Sequence, residues 1–240
     1  MKPSTPRAAD VRAALDRLAD PDKAALTARY FKTGPGEYGE GDRFLGVMVP
    51  QQRAVAKQVR GLPLKEAVAL LRSPWHEHRL TALLVMVDLY RSGDAAEKQA
   101  VFDAYLANTP RVNNWDLVDV SAPAIVGAHI LSDPRPLVRT LVASRDLWER
   151  RIGVVATLAL IRAKHADTTL WAAEALLGDK HDLIQKAVGW MLREVGTRVD
   201  EALLTGFLDA HAARMPRTML RYSLEHLSPA QRTHYMTAGK

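Results

Sequence analysis

Stretches with the apolar spacing of an amphipathic helix recur along most of this chain, at a near-constant interval. From residue 64 onward they fall into pairs: 64–71 with 76–91, 96–107 with 114–129, 137–143 with 146–163, 168–177 with 181–195, and 199–210 with 216–225. The second members begin near 76, 114, 146, 181 and 216, a period of roughly 32–38 residues. Leu80, Leu83, Leu84 and Val87, like Ile152, Val155, Ala156 and Ala159, carry the spacing that places a stripe on one helix face. No sustained alternation bounded by hairpin turns marks a strand. A single helix pair cannot bury its own apolar face, so each must stack on the next. The pattern predicts an all-α fold, an α-solenoid forming one curved domain over residues 1–240, with repeats from about 64 to 225. One row of helices then lines a concave groove, and residues at like places in successive second helices line up along it.

Ahead of the repeats, residues 8–19 and 21–32 read as two short helices, with Asp20 as cap and Pro21 at the first helical position. Residues 33–47 are a Gly-rich loop. Its first part, Thr33 to Asp42, is too rich in glycine for helix, and its acids would repel a phosphate; no Gly-Lys-Ser/Thr follows. Phe44-Leu45-Gly46-Val47 reads as a tight anchor, and Pro50 opens the next helix.

Charge and composition narrow the function. The formal net charge of +6 favours a polyanionic partner, so the groove is expected to be basic. With no cysteine there is no disulfide, thiolate nucleophile, Fe–S cluster or thiolate-bound zinc. The eight histidines form no metal motif: His76 and His78 are two apart, on different sides of a helix. Without a Walker loop, dinucleotide fingerprint or Gly-x-Ser-x-Gly, no cofactor is expected. There is no apolar core of signal-peptide length at the start and no run that spans a bilayer, so a cytoplasmic protein is expected.

The chemistry concentrates in Asn113-Asn114-Trp115-Asp116-Leu117-Val118-Asp119. The asparagines offer helix caps, and Trp115 and Asp119, four apart, then share a face. Asp116, nearer the positive end of the helix dipole, reads as structural. Pro123 lacks the N–H that the carbonyl of Asp119 would use, which predicts a kink beside that carboxylate. Arg151 and Trp190 hold corresponding places in later helices. Trp190 has Lys186 four before it and Arg193 three after, an aromatic flanked by cations that suits nucleic acid. Of Arg150 and Arg151, adjacent on their helix, one is expected to face the groove. Trp75, Trp148 and Trp171 read as packing or helix-start residues.

These residues together resemble the bacterial AlkD-type DNA alkylation repair glycosylases, built from HEAT-like repeats. The resemblance is carried by Ala28-Arg29-Tyr30, Phe44 to Val47, Trp115 to Asp119 with Pro123, Trp148-x-x-Arg151, and Gln185-Lys186-Ala187-Val188-Gly189-Trp190-x-Leu192-Arg193-Glu194. It implies a monomeric glycosylase that removes N3- or N7-alkylated purines from duplex DNA without base flipping, and so tolerates bulky adducts. Asp119 would be the catalytic carboxylate, Trp115 and Trp190 the sugar-contacting aromatics, and Arg151 a backbone contact. Tyr30 would lie near the lesion, and Arg150, Lys186 and Arg193 would add DNA contacts. The loop from Thr33 to Asp42 departs from the family's best-known members in being longer and more acidic. The competing reading is a non-catalytic HEAT-like solenoid binding damaged or branched DNA. It leaves unexplained a carboxylate set among phosphates.

Overall fold

The computed structural model describes residues 5–237, and within them the fold is an all-α helical repeat. The described residues contain no strand, only an isolated bridge between Arg43 and Trp75. The chain expected to run as one domain packs into two compact units, one up to Ser121 and one from Ala122 on. No helix among the described residues is long and apolar enough to cross a membrane.

The first unit holds α1 (Ala8–Asp16), α2 (Pro21–Tyr30), α3 (Val49–Gln58), α4 (Leu64–Leu71), α5 (His76–Ser92), α6 (Ala95–Leu106) and α7 (Trp115–Ser121). As the sequence predicts, Asp20 caps α2 by accepting from the Lys23 N–H, ahead of Pro21. At the centre lies α5, packed on α3, α4, α6 and α7. Neighbours on several sides explain why it is buried nearly all round instead of on one stripe. Its first turn is nonetheless His76-Glu77-His78-Arg79, four titratable side chains carried inside the protein.

The second unit holds a π-helical turn at Pro123–Gly127, then α8 (Arg135–Val142), α9 (Leu147–Ala156), α10 (Leu158–Arg162), α11 (Asp167–Ala175), α12 (Asp182–Arg198), α13 (Glu201–His211), α14 (Arg217–Ser223) and α15 (Pro229–Thr237). α12 is its hub, packed on α9, α11, α13 and α14. Three elements differ from the sequence reading. The stretch 114–129 is broken because Pro123 has no N–H to donate, and the chain widens until Gly127 N–H reaches Ala122 O at 2.9 Å. The stretch 146–163 is divided at Thr157, whose hydroxyl donates to Val154 O at 2.6 Å and competes with the helical ladder. α15 lies beyond the expected repeats. It starts on a box in which Ser228 and Gln231 bond each other's backbone N–H, with proline at the first helical position.

Candidate active site

The start of α7 is built from the residues upward by charge. Asn114, fully buried, accepts the Trp115 N–H at 2.8 Å with its side chain and the Val118 N–H at 3.1 Å with its carbonyl, so it stands at the helix start but its side chain bonds the adjacent residue and not the second or third N–H of the helix. Asp116 accepts the Leu117 N–H at 2.9 Å with one oxygen and meets His76 Nε2 at 2.8 Å with the other. The other ring nitrogen of His76, Nδ1, lies 2.8 Å from Asp42, which also takes a 2.7 Å ion pair from Arg79. Burial alone would discharge His76. The carboxylates of Asp116 and Asp42 outweigh it and lift its pKa to about 9, so the ring is an imidazolium at neutral pH. Burial likewise raises Asp42, but His76 and Arg79 hold it below the usual carboxylate range. Two anions and two cations thus cancel inside the protein.

This cluster explains the acidic loop. Asp42 is its last residue and its tie to α5 and α7, while Glu37 and Glu40, exposed, turn back onto the loop to accept the N–H groups of Gly34 and Gly36 at 2.9 Å. Next along, the Glu77 carboxylate accepts the N–H groups of Leu45 and Gly46 at 2.9 and 2.8 Å, which is what holds the Phe44–Val47 anchor. Gly46 is at φ +80°, and a Cβ there would stand 2.1 Å from the Asp20 carbonyl, so glycine is required.

Against this base packs a cluster of rings, in which Phe31 also meets His76 at 4.9 Å. Phe44 stacks on His76 at 4.7 Å, Phe31 on Phe44 at 5.2 Å, and Trp115 on Phe31 at 5.2 Å. Tyr30 meets the Trp115 ring edge-on at 6.0 Å and is 67% exposed. The cluster forms one wall of an open apolar pocket of about 600 Å³, which Leu26, Val47 and Met48 help to line. Trp115 is therefore half-buried with a fixed orientation, held by its neighbours as well as by its own helix.

Asp119, one turn after Trp115, is half-buried. Its charge reaches the buried Tyr105 hydroxyl. Burial pushes that phenol far up and the Asp119 carboxylate adds to the rise, against the opposing hydrogen bond with Ser121. Asp116 has the structural role read from sequence, though its main partner is a side chain 40 residues earlier.

In the second unit, Arg151 is only 5% exposed and its Nη1 donates to Leu183 O at 2.6 Å, joining α9 to the start of α12. Arg150 is bonded to Asp179 at 2.7 Å and to the carbonyls of Ser144 and Arg145. Trp190 is half-buried and its indole N–H donates to Glu194 at 3.2 Å. Burial alone would raise Glu194, but Arg198, Arg193 and this indole hold it below its usual range. Lys186 is paired with Asp182 at 2.7 Å, and Arg193 with Glu194 and Glu225. The three cations singled out beside Arg151 and Trp190 are all in ion pairs within the protein. Trp171, half-buried, lies under Arg135 and Arg139.

Phe31, Asp42, His76 and Arg79 were not legible as parts of this site. The usable signal was the run His-Glu-His-Arg opening a helix that is otherwise apolar.

A family model described as a DNA alkylation repair enzyme matches residues 11–227. Among solved structures, one described as a predicted DNA alkylation repair enzyme from Enterococcus faecalis is similar to this chain with a TM-score of 0.69. It is 20% identical, and the match covers 88% of this chain and 97% of that one, a likeness of fold. No curated protein matches the chain.

Proposed function

The chain belongs to the DNA alkylation repair enzyme family, a DNA repair family, and on that premise we propose that it is a monofunctional DNA glycosylase that hydrolyses the N-glycosidic bond of N3- or N7-alkylated purines in duplex DNA. Alkylation at either nitrogen leaves the base cationic and already a good leaving group, so no strong general acid is needed. The demand falls on the positive charge that develops on the deoxyribose and on the water that attacks it. One carboxylate meets both needs, by stabilising the oxocarbenium ion and by orienting or deprotonating the water.

Two carboxylates lie on α7, and the observation that carries the assignment is that Asp119 is half-buried one turn from Trp115, a tryptophan whose ring is held by stacking. Asp116, the counter-ion of His76 and a backbone acceptor, is assigned a structural role. The catalytic role is assigned to Asp119. The Trp115 face offers a cationic sugar an attraction of about 0.5–2 kcal/mol through its quadrupole. Trp190 is assigned the second sugar contact, and Arg151, with Arg150, Lys186 and Arg193, contacts to the DNA backbone. Tyr30, exposed at the edge of Trp115, is assigned to the neighbourhood of the lesion. In this reading the base is not flipped, so selectivity follows the lability of the glycosidic bond.

The test is release of free 7-methylguanine and 3-methyladenine from alkylated duplex DNA. Asp119→Asn is expected to lower the single-turnover rate by about 100–1000-fold with duplex affinity nearly unchanged. Equal excision by mutant and wild type would remove Asp119 from the chemistry.

A further inference from the structure

A second cleft lies in the first unit, between α3 and α5, with a volume of about 260 Å³. Arg53, Lys57, Arg60 and Arg91 line it, opposed by Asp88, the one carboxylate among its lining residues. Arg53, Lys57 and Arg60 are spaced i, i+4, i+7, so one face of α3 and the turn after it present all three. All four cations are exposed, and among the described residues none has an ion pair or side-chain hydrogen bond. The floor between them is apolar, with Leu84 and Val87 buried, so the charged ends stand at the rim. Val120, the residue after Asp119, closes one side. The contrast with the second unit is direct: Arg150, Lys186 and Arg193 have their carboxylates, and these four do not.

We propose that the α3–α5 cleft is a phosphodiester clamp, in which Arg53, Lys57, Arg60 and Arg91 hold the backbone of duplex DNA beside the turn of α7 that carries Asp119. This rests on the glycosylase reading for its substrate, and it adds a contact set that the sequence motifs do not contain. Four cations facing one anion around an open cleft repel one another unless a polyanion enters. Phosphodiesters supply that charge, and arginine donates to their oxygens in pairs. The residues have a positioning role, holding the strand while the chemistry happens elsewhere.

Each neutralised phosphate steepens the salt dependence of duplex binding by about 0.9 in the slope of log K against log[salt]. The experiment measures that slope and single-turnover base release for wild type, for Arg53→Gln with Lys57→Gln, and for Arg17→Gln with Lys65→Gln, an equal charge loss at exposed positions elsewhere. The cleft pair is expected to weaken duplex binding at least 10-fold, to flatten the slope by about 2, and to leave the rate at saturating protein within about 2-fold. The charge-conserving pair Arg53→Lys with Lys57→Arg is expected to restore most of the slope. Equal slopes for the cleft pair and the Arg17/Lys65 pair would overturn the clamp. So would saturation of the cleft by millimolar inorganic phosphate, read as a thermal shift lost in the cleft pair, together with an unchanged duplex slope. Wild type that binds duplex but releases no base would instead sink the glycosylase reading and leave the slope comparison standing.

Discussion

His76 Nε2 stands 2.8 Å from Asp116 Oδ2, so an imidazolium at the start of α5 fixes the first turn of α7 through a carboxylate 40 residues along the chain. The same ring is held by Asp42 on its other nitrogen and stacked against Phe44. Charge, loop and aromatic cluster therefore share one residue, and the stability of the first unit should depend on its protonation.

The folded-state pKa of His76, about 9, lies above the ordinary histidine value of 6.5. A raised pKa contributes stability that is fully present below the unfolded value and is lost as pH rises through the folded one. The contribution at neutral pH and below is about 3 kcal/mol by linkage. Asp42 has the opposite sense: its depressed pKa stabilises above the unfolded value and is lost on acidification. Thermal melts are expected to give a plateau near pH 6–7, with the Tm declining toward pH 9–10. His76→Gln is expected to lower stability at the plateau by about 3–5 kcal/mol, since it leaves Asp116 without its cation and Asp42 with Arg79 alone, and to flatten the alkaline decline. A wild-type Tm that stays level to pH 10 would show that the ring is not protonated in the folded protein.

Trp115 takes its orientation from Phe31, on which it stacks at 5.2 Å. Phe31→Leu keeps an apolar side chain and removes the flat surface, so stability is expected to fall by about 1–2 kcal/mol. If Trp115 must present its face to the sugar, base release should fall about 10-fold in the single-turnover rate, with less change in duplex affinity. An unchanged rate in a variant whose near-ultraviolet circular dichroism shows a reoriented tryptophan would separate the stacking from the chemistry.

Gly46 is the test of the anchor. At φ +80° with the Asp20 carbonyl 2.1 Å from where a Cβ would sit, alanine needs both a strained backbone and a displaced α2. Gly46→Ala is expected to destabilise by about 2–4 kcal/mol, whereas Gly36→Ala, also at positive φ but with open space around it, is expected to lose about 1 kcal/mol. Urea melts that rank the two the other way would mean the chain relaxes around residue 46.

How much of this was readable beforehand divides along a physical line. Features set by nearest neighbours were legible: the helix pairs from their periodicity, the Asp20-Pro21 start, the start of α7 after Asn114, and the break at Pro123, where a missing N–H leaves only the π turn. The Ser228–Gln231 box is equally local and was there to be read. Pairings across the fold were not legible. Asp42 meets His76 across 34 residues, Arg150 meets Asp179 across 29, and Arg193 meets Glu225 across 32. Such ion pairs leave no periodic trace, so the carboxylates that Lys186 and Arg193 meet within the protein were not legible. Asp119 and Trp115 were legible as candidates because their spacing is helical, while the ring cluster that orients Trp115 was not.

In the second unit the corresponding dependence falls on Gly189, the residue before Trp190. A Cβ there would lie 2.5 Å from both the Met219 carbonyl and the Tyr222 Cβ, so α12 and α14 approach as closely as they do only because the side chain is absent. Neither obstacle is the end of a flexible side chain. The two helices must separate to admit a methyl group, and the ladder Trp190–Glu194–Arg198 runs on the displaced helix. Gly189→Ala is therefore expected to destabilise by about 2–4 kcal/mol, despite alanine's better helix propensity of about 1 kcal/mol. Its rate of base release should fall further than that of a variant such as Leu204→Ala, which loosens α13 against Gly196, further along α12 than Trp190. Equal losses of activity at matched Tm would mean that Gly189 matters for packing alone and that the position of Trp190 does not depend on it.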